Sequence, residues 1–248
     1  MTVAVALVQL ALALATAPAR PTMLPSPHCD RARYYLLNWH LNPSYLDSCE
    51  AELAAVVSKG PEEEQRLALR ARLLLVRGER EANRKSKAGW FAAARAVADS
   101  LRATNIRNPA GHLWWAAAQG RLLQLRGVAS AAMGSAELRR ENERALELDP
   151  DCALASFALG RICEELPGLF GGGLKKAEAW YRRAVASDPN YTIVRLGLAR
   201  VLVRQRRPAE ARAQLAQLLA VENPTNPAEA ALCDRPAAKA LLDSLSGD

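Results

Sequence analysis

Aromatic residues are scarce in this chain, 5% of 248 positions, and runs of Val, Ile and Thr at strand spacing are missing. Without alternating β-branched and aromatic residues there is little from which to build a pleated sheet. Histidine is rarer still, with His28, His40 and His112 the full set. No Ser/His/Asp arrangement, no HExxH and no dinucleotide-binding glycine motif occurs, and no second His/Cys pair sits at a metal-ligand spacing. The expectation is a non-catalytic chain with no cofactor and no metal. After residue 19 no stretch is long and apolar enough to cross a bilayer.

What is present favours helix. Half of the residues are apolar, mostly Ala and Leu, and Arg and Glu supply much of the rest. All four are strong helix formers, so the fold class expected is all-α. The 14 prolines and 14 glycines cluster between periodic segments and act as punctuation. The net charge is +7, but the basic residues are mostly Arg and alternate with Glu and Asp along every expected helix. No aromatic–basic alternation of the kind a single-strand binder needs is found, so nucleic acid is not expected as a partner. The densest basic run, residues 200–208, falls at a helix end, where the dipole favours it.

The first residues suggest export. Residues 3–19 form an apolar run with one Gln. Ala15, Ala17 and Ala19 fit an A-x-A cleavage rule, with the cut after Ala19 preferred because Pro18 follows Ala17. No Lys or Arg precedes the run, and no Cys follows it to accept a lipid. Residues 1–19 are read as a signal peptide, 20–28 as a linker, and the protein as periplasmic or otherwise exported. Export permits disulfides. Cys29 and Cys49 flank an expected helix–turn–helix and would clip that hairpin. Cys152 and Cys163, eleven residues apart on one expected helix, lie roughly 16 Å apart and cannot bond to each other. They read as small core residues.

A repeat emerges from the prolines. Pro109, Pro150, Pro189 and Pro224 are spaced by 41, 39 and 35 residues, near the roughly 34 of a tetratricopeptide repeat. Ala177, Tyr181 and Ala184 precede Pro189 as the small, aromatic and small positions of a second repeat helix. Leu159 and Gly160, and likewise Leu198 and Ala199, take the first-helix positions where a small residue lets two helices approach. From Ala199 to Ala211 is twelve residues, but from Gly160 to Ala177 is seventeen, so five are inserted in "LPGLFGGG". Gly171, Gly172 and Gly173 can turn a loop there, with Leu169 and Phe170 tucked beneath it. A phosphate cradle is the rival reading, but Lys175 and Lys176 are not at P-loop spacing and no strand precedes them. About seven further extra residues fall near "RGVASAAMG", and the expected helices, 110–126 and 134–148, leave that segment as a connection between them. The map is an α-solenoid of tetratricopeptide-like helix pairs over 87–248, a degenerate helical region over 29–86, and a C-terminal capping helix.

"RALELDPDCALASFALGRICEELPGLFGGGLKKAEAWYRRAVASDPNYTIVRLGLARVLVRQRRPAEARAQLAQLLA", with the tail "DRPAAKALLDSL" and the Trp-bearing "NPAGHLWWAAAQGRL", resembles the T component (TatT) of tripartite periplasmic (TRAP) transporters. The resemblance covers roughly residues 87–245. It implies a non-enzymatic periplasmic helical-repeat protein that forms trimers, associates with a transporter's solute-binding protein, and offers a groove or pore to an apolar small ligand. The missing lipobox cysteine departs from that family. The alternative is a generic tetratricopeptide scaffold for protein assembly with no small ligand.

For binding, aromatics carry the expectation. Trp114 and Trp115 project about 100° apart on one helix, so one should pack between helices and the other face a groove. Trp180 is left over when Tyr181 takes the inner position, and Phe170 lies in the insertion. These four, Trp114, Trp115, Phe170 and Trp180, are the candidate groove residues, against the plainer reading of each as core. His28-Cys29-Asp30 reads as a linker entering a helix, and His112 as a histidine beside the Trp pair without a partner.

Overall fold

The computed structural model describes residues 26–57, 59–168 and 171–246. Among them there is no strand, and the helices form five consecutive pairs. The pairs are α1 (Pro27–Leu37) with α2 (Tyr45–Ala55), α3 (Pro61–Arg80) with α4 (Arg84–Thr104), α5 (Pro109–Arg126) with α6 (Val128–Leu148), α7 (Ala153–Glu165) with α8 (Leu174–Ser187), and α9 (Thr192–Arg204) with α10 (Pro208–Leu219). Short α11 (Pro227–Glu229) passes through one π-turn, Ala230–Asp234, into α12 (Arg235–Ser246), which packs on α10 and α9. Short connections make neighbours antiparallel, and each pair must bury its apolar face against the next. The expected all-α solenoid is the observed fold.

Start signals follow helix chemistry. Pro occupies the first turn of α1, α3, α5 and α10, where its missing N–H costs nothing. Ser26, Asn83 and Asn108 each accept a hydrogen bond from a backbone N–H of the following first turn. Helix α1 therefore begins at Pro27 and takes in the last two residues assigned to the linker. The assigned signal peptide lies outside the described residues.

Two repeat details differ from expectation. The extra residues at "RGVASAAMG" are not a loop. The chain breaks at Gly127 (φ +112°), and α6 starts at once with Val128. Ala-rich sequence prefers helix, so the extra length becomes additional turns on a longer pair. The second difference concerns α3, placed in the degenerate region, and its partner α4, which falls almost wholly in the expected array. Gly78 of α3 lies against the ring of Phe91 of α4, with no room for a Cβ. Gly160 of α7 meets the ring of Tyr181 of α8 in the same way. The glycine-against-aromatic contact thus begins one pair earlier than the proline spacing indicates.

The insertion between α7 and α8 is a compact turn. Gly171 and Gly173 have positive φ, +79° and +116°, which side-chain-bearing residues rarely adopt. Gly173 N–H reaches back to the Cys163 carbonyl at 2.7 Å, stitching the loop to the end of α7. Gly172 has ordinary φ but stands against the Leu166 carbonyl, where a Cβ does not fit. Lys176 donates to the Gly171 carbonyl at 3.3 Å. Leu169 and Phe170 lie outside the described residues.

The largest core cluster joins α7–α10 and α12 around Tyr181, Leu198, Leu202, Leu215 and Leu218. The repeat positions Leu159, Ala177, Tyr181, Ala184, Ala199 and Ala211 are all fully buried. Pro109 opens α5, while Pro150 and Pro189 sit in the turns that follow α6 and α8. Ala238 and Leu245 of α12 are buried as well, so this helix closes the open end of the array.

Candidate functional site

The faces of α7 and α9, with the α5–α6 junction, leave a groove. A cavity of about 600 Å³ is lined by Gln124 of α5, Gly127 and Ala131 at the α5–α6 junction, Phe157, Arg161, Glu164 and Glu165 of α7, and Ile193, Gly197, Arg200 and Arg204 of α9. Phe157, Arg161 and Glu164 fall at i, i+4 and i+7, and Ile193, Gly197, Arg200 and Arg204 at i, i+4, i+7 and i+11. Each set is one helix face. Phe157 is the aromatic residue of the lining, and the fully buried Tyr181 lies behind it with the two ring centroids 5.6 Å apart. Gly197, which lines the cavity, lies directly against both rings: a Cβ there would stand 2.9 Å from Tyr181 Cε1 and 3.1 Å from Phe157 Cε2.

The walls carry charge. Arg161 pairs with Glu165, and Arg204 Nη1 lies 3.1 Å from Glu164 Oε1. The other Glu164 oxygen accepts from the buried Tyr181 hydroxyl at 2.8 Å. Burial, and then the Glu164 charge, push the Tyr181 phenol well above its ordinary pKa, so it stays a neutral donor. Arg200 is exposed and makes no ion pair or hydrogen bond among the described residues. A site built this way can bind and orient an extended chain.

The candidate aromatics go elsewhere. Trp115 is buried beside Ala71 and Ala98. Trp114 is half-buried against the clusters of the second and third pairs. Trp180 is half-buried between the Leu159 cluster and the large C-terminal core. None of the three lines the cavity. Each packs where successive pairs stack. Phe170 lies outside the described residues. An arginine stands over every one of the chain's five tryptophans: Arg80 over Trp39 at 4.2 Å, Arg77 over Trp90 at 5.5 Å, Arg72 over Trp114 at 5.8 Å, Arg102 over Trp115 at 5.2 Å and Arg183 over Trp180 at 5.4 Å. Much of the basic excess is thereby used inside the fold, as cation–π contact.

Other singled-out residues are structural. Cys29 and Cys49 are both buried in the N-terminal cluster but are free thiols, so no disulfide clips the hairpin. Polar contacts do that instead. Arg31 grips Glu52 with bonds of 2.7 and 2.8 Å, and His28 Nδ1 lies 2.7 Å from the same carboxylate. The Arg31 and His28 bonds hold Glu52 down to about 2. His112 has partners after all: Nδ1 is 2.7 Å from Glu141 Oε2 and Nε2 is 2.9 Å from the Ile106 carbonyl. Among the described residues no cluster of His, Cys, Asp or Glu could hold a metal ion.

Residues 172–245 match the family model described as tetratricopeptide repeat. The array is tetratricopeptide-like. A thermophilic TPR protein of Thermus thermophilus superposes with a TM-score of 0.63 at 19% identity, covering 87% of this chain and 99% of that one. MamA of Desulfovibrio magneticus is similar at 15% identity over 78% of this chain and 96% of that one, with a TM-score of 0.46. The comparison with curated proteins returns no match. In a tetratricopeptide-like array the groove residues Phe157, Arg161, Arg200 and Arg204 are the ones the sequence reading passed over. Their signal was present as helix-face spacing counted from the Leu159-Gly160 and Leu198-Ala199 positions.

Proposed function

We propose that this chain is a non-catalytic adaptor of the cell envelope that holds a segment of a partner protein in the groove between α5, α7 and α9. The groove itself carries the reading: α7 and α9 line it with Phe157, Ile193 and charged side chains, and the α5–α6 junction closes one side. A rigid concave surface of this kind suits an extended chain. The tryptophans that would anchor an apolar small ligand are packed between pairs, so a protein segment is the preferred occupant. The resemblance to the TRAP-transporter T component and the apolar N-terminal run support the finer reading, in which the partner is a periplasmic solute-binding protein and the chain assembles as a trimer.

The test is affinity capture of the full chain from an envelope extract, with co-purifying chains identified by mass. It is run in parallel with an Arg161→Glu/Arg204→Glu variant. A solute-binding protein in near-equal amount, lost from the variant, is the expected result. Unrelated partners that the variant also loses would leave a general scaffold acting through the same groove. Capture that ignores the variant would remove the groove from the function.

A further inference from the structure

From the charge left over in the groove we infer that its occupant is an acidic peptide segment, with one carboxylate held by Arg200 beside a bulky apolar side chain seated over Phe157 and Gly197. The inference rests on the groove reading above and names the chemistry that reading leaves open.

The argument is a balance of charges on one surface. Three arginines and two glutamates line the groove. Arg161 is neutralised by Glu165, and Arg204 by Glu164. Glu164 is further committed to the Tyr181 hydroxyl. Arg200 alone among these groove cations has no ion-pair or hydrogen-bond partner among the described residues. It stands one turn beyond Gly197 on the inward face of α9, and Arg204 stands one turn further on. An incoming carboxylate at Arg200 therefore faces a guanidinium that need not be stripped from an existing partner. A lysine or arginine at the same place would meet a guanidinium that no ion pair or hydrogen bond among the described residues engages.

The apolar half of the site is equally specific. Gly197 has no room for a side chain against the Phe157 and Tyr181 rings, so beside Phe157 the lining carries only a backbone surface there, and Ile193 lines the cavity one turn before it. Gly197 and Arg200 are three residues apart, roughly 4.5 Å along the helix axis. Next-nearest side chains of an extended peptide share one face about 6.7 Å apart, a difference that the long arginine side chain covers. Charge and shape thus point to the same short motif, an apolar residue with Asp or Glu close by.

The experiment uses the full chain on an array of immobilised octapeptides with a central Leu or Phe. Each octapeptide is presented in four versions that carry Glu, Gln, Ala or Lys two positions away. The expected result is a five- to tenfold preference for the Glu version over Gln, the size of one charge-assisted hydrogen bond in a partly enclosed site. The preference should vanish in Arg200→Gln and turn toward Lys in Arg200→Glu. Arg206→Gln, a change at an exposed cation outside the groove lining, should leave it intact, and circular dichroism should show every variant folded. Equal binding of all four versions, or a Glu preference that survives Arg200→Gln, overturns the acidic-peptide inference while the groove remains a peptide site. Binding to no version, or binding untouched by Arg161→Glu/Arg204→Glu, overturns the groove reading itself.

Discussion

Gly160 of α7 lies flat against the Tyr181 ring of α8: a Cβ built at Gly160 would stand 2.7 Å from Tyr181 Cε1 and 2.8 Å from Cδ1. The ring is fully buried and cannot swing away, because Gly197 closes its other side and its hydroxyl is tied to Glu164. Gly160→Ala should therefore destabilise by about 1–3 kcal/mol through overpacking, although alanine is the better helix former by about 1 kcal/mol. Gly120→Ala is the control. Its Cβ would meet only Leu138 Cδ1 at 3.5 Å, so the propensity gain should win and stability should rise by about 0.5–1 kcal/mol. Urea unfolding followed by circular dichroism gives both signs.

The capping helix is joined to α9 through a buried carboxylate. Asp234, in the π-turn and 1% exposed, accepts a 2.6 Å hydrogen bond from the Thr192 hydroxyl. Burial pushes its pKa up to about 6; Glu229 adds to the rise, while the Thr192 bond and Arg200 oppose it. The folded pKa exceeds the unfolded one, so this group's contribution is fully present below about pH 4 and is lost as pH rises through about 6. Asp234→Asn should raise Tm at pH 7, by an amount equivalent to at most about 3 kcal/mol. At pH 4 the gain should vanish. Thermal melts of both proteins from pH 4 to pH 8 check the prediction.

Arginine over tryptophan recurs through the array, with the closest pair Arg80 and Trp39 at 4.2 Å. Arg80→Ala should cost about 0.5–1 kcal/mol, the scale of one partly exposed cation–π contact. Because Trp39 packs against the N-terminal cluster, the loss should appear first as looser α1–α2 docking. Limited proteolysis within residues 38–60, faster in the variant than in the wild type, would show it. Unchanged cleavage and an unchanged Tm would mean that the stacking carries no weight.

Thiol reactivity should divide the cysteines. Cys29, Cys49 and Cys163 are buried, Cys152 is half-buried, and Cys233 is exposed. Burial pushes the Cys49 thiol up to about 12. An aromatic disulfide reagent should titrate Cys233 alone in the native protein and the buried three only after unfolding. Cys233→Ser should abolish the native reaction. Rapid modification of Cys29 or Cys49 in the native state would show that the α1–α2 hairpin opens.

Residues such as Pro150, Pro189, Gly160, Ala177 and Tyr181 made the paired-helix array legible, because turn chemistry and small–aromatic–small spacing are local properties of a chain. The length and Ala-Leu composition settled the all-α class for the same reason. The form of the α5–α6 junction is not legible in the sequence, since an Ala-rich insertion extends a helix as readily as it makes a loop, and only packing against neighbours decides which. Tryptophan burial could not be read either. Trp114 and Trp180 look equally suited to a groove or a joint, and the stacking of pairs put them at joints under Arg72 and Arg183. Pairing of charges lies furthest from the sequence. Arg161 and Glu165 stand one turn apart on α7, a pairing the sequence allows, but that Arg204 of α9 finds Glu164 of α7 while Arg200 finds no ion-pair partner among the described residues depends on how the two helices pack. The sequence determined by itself that the chain builds stacked helix pairs; the tertiary structure alone decided which side chains line the groove and which charge stays open, because those depend on contacts between helices far apart in the chain.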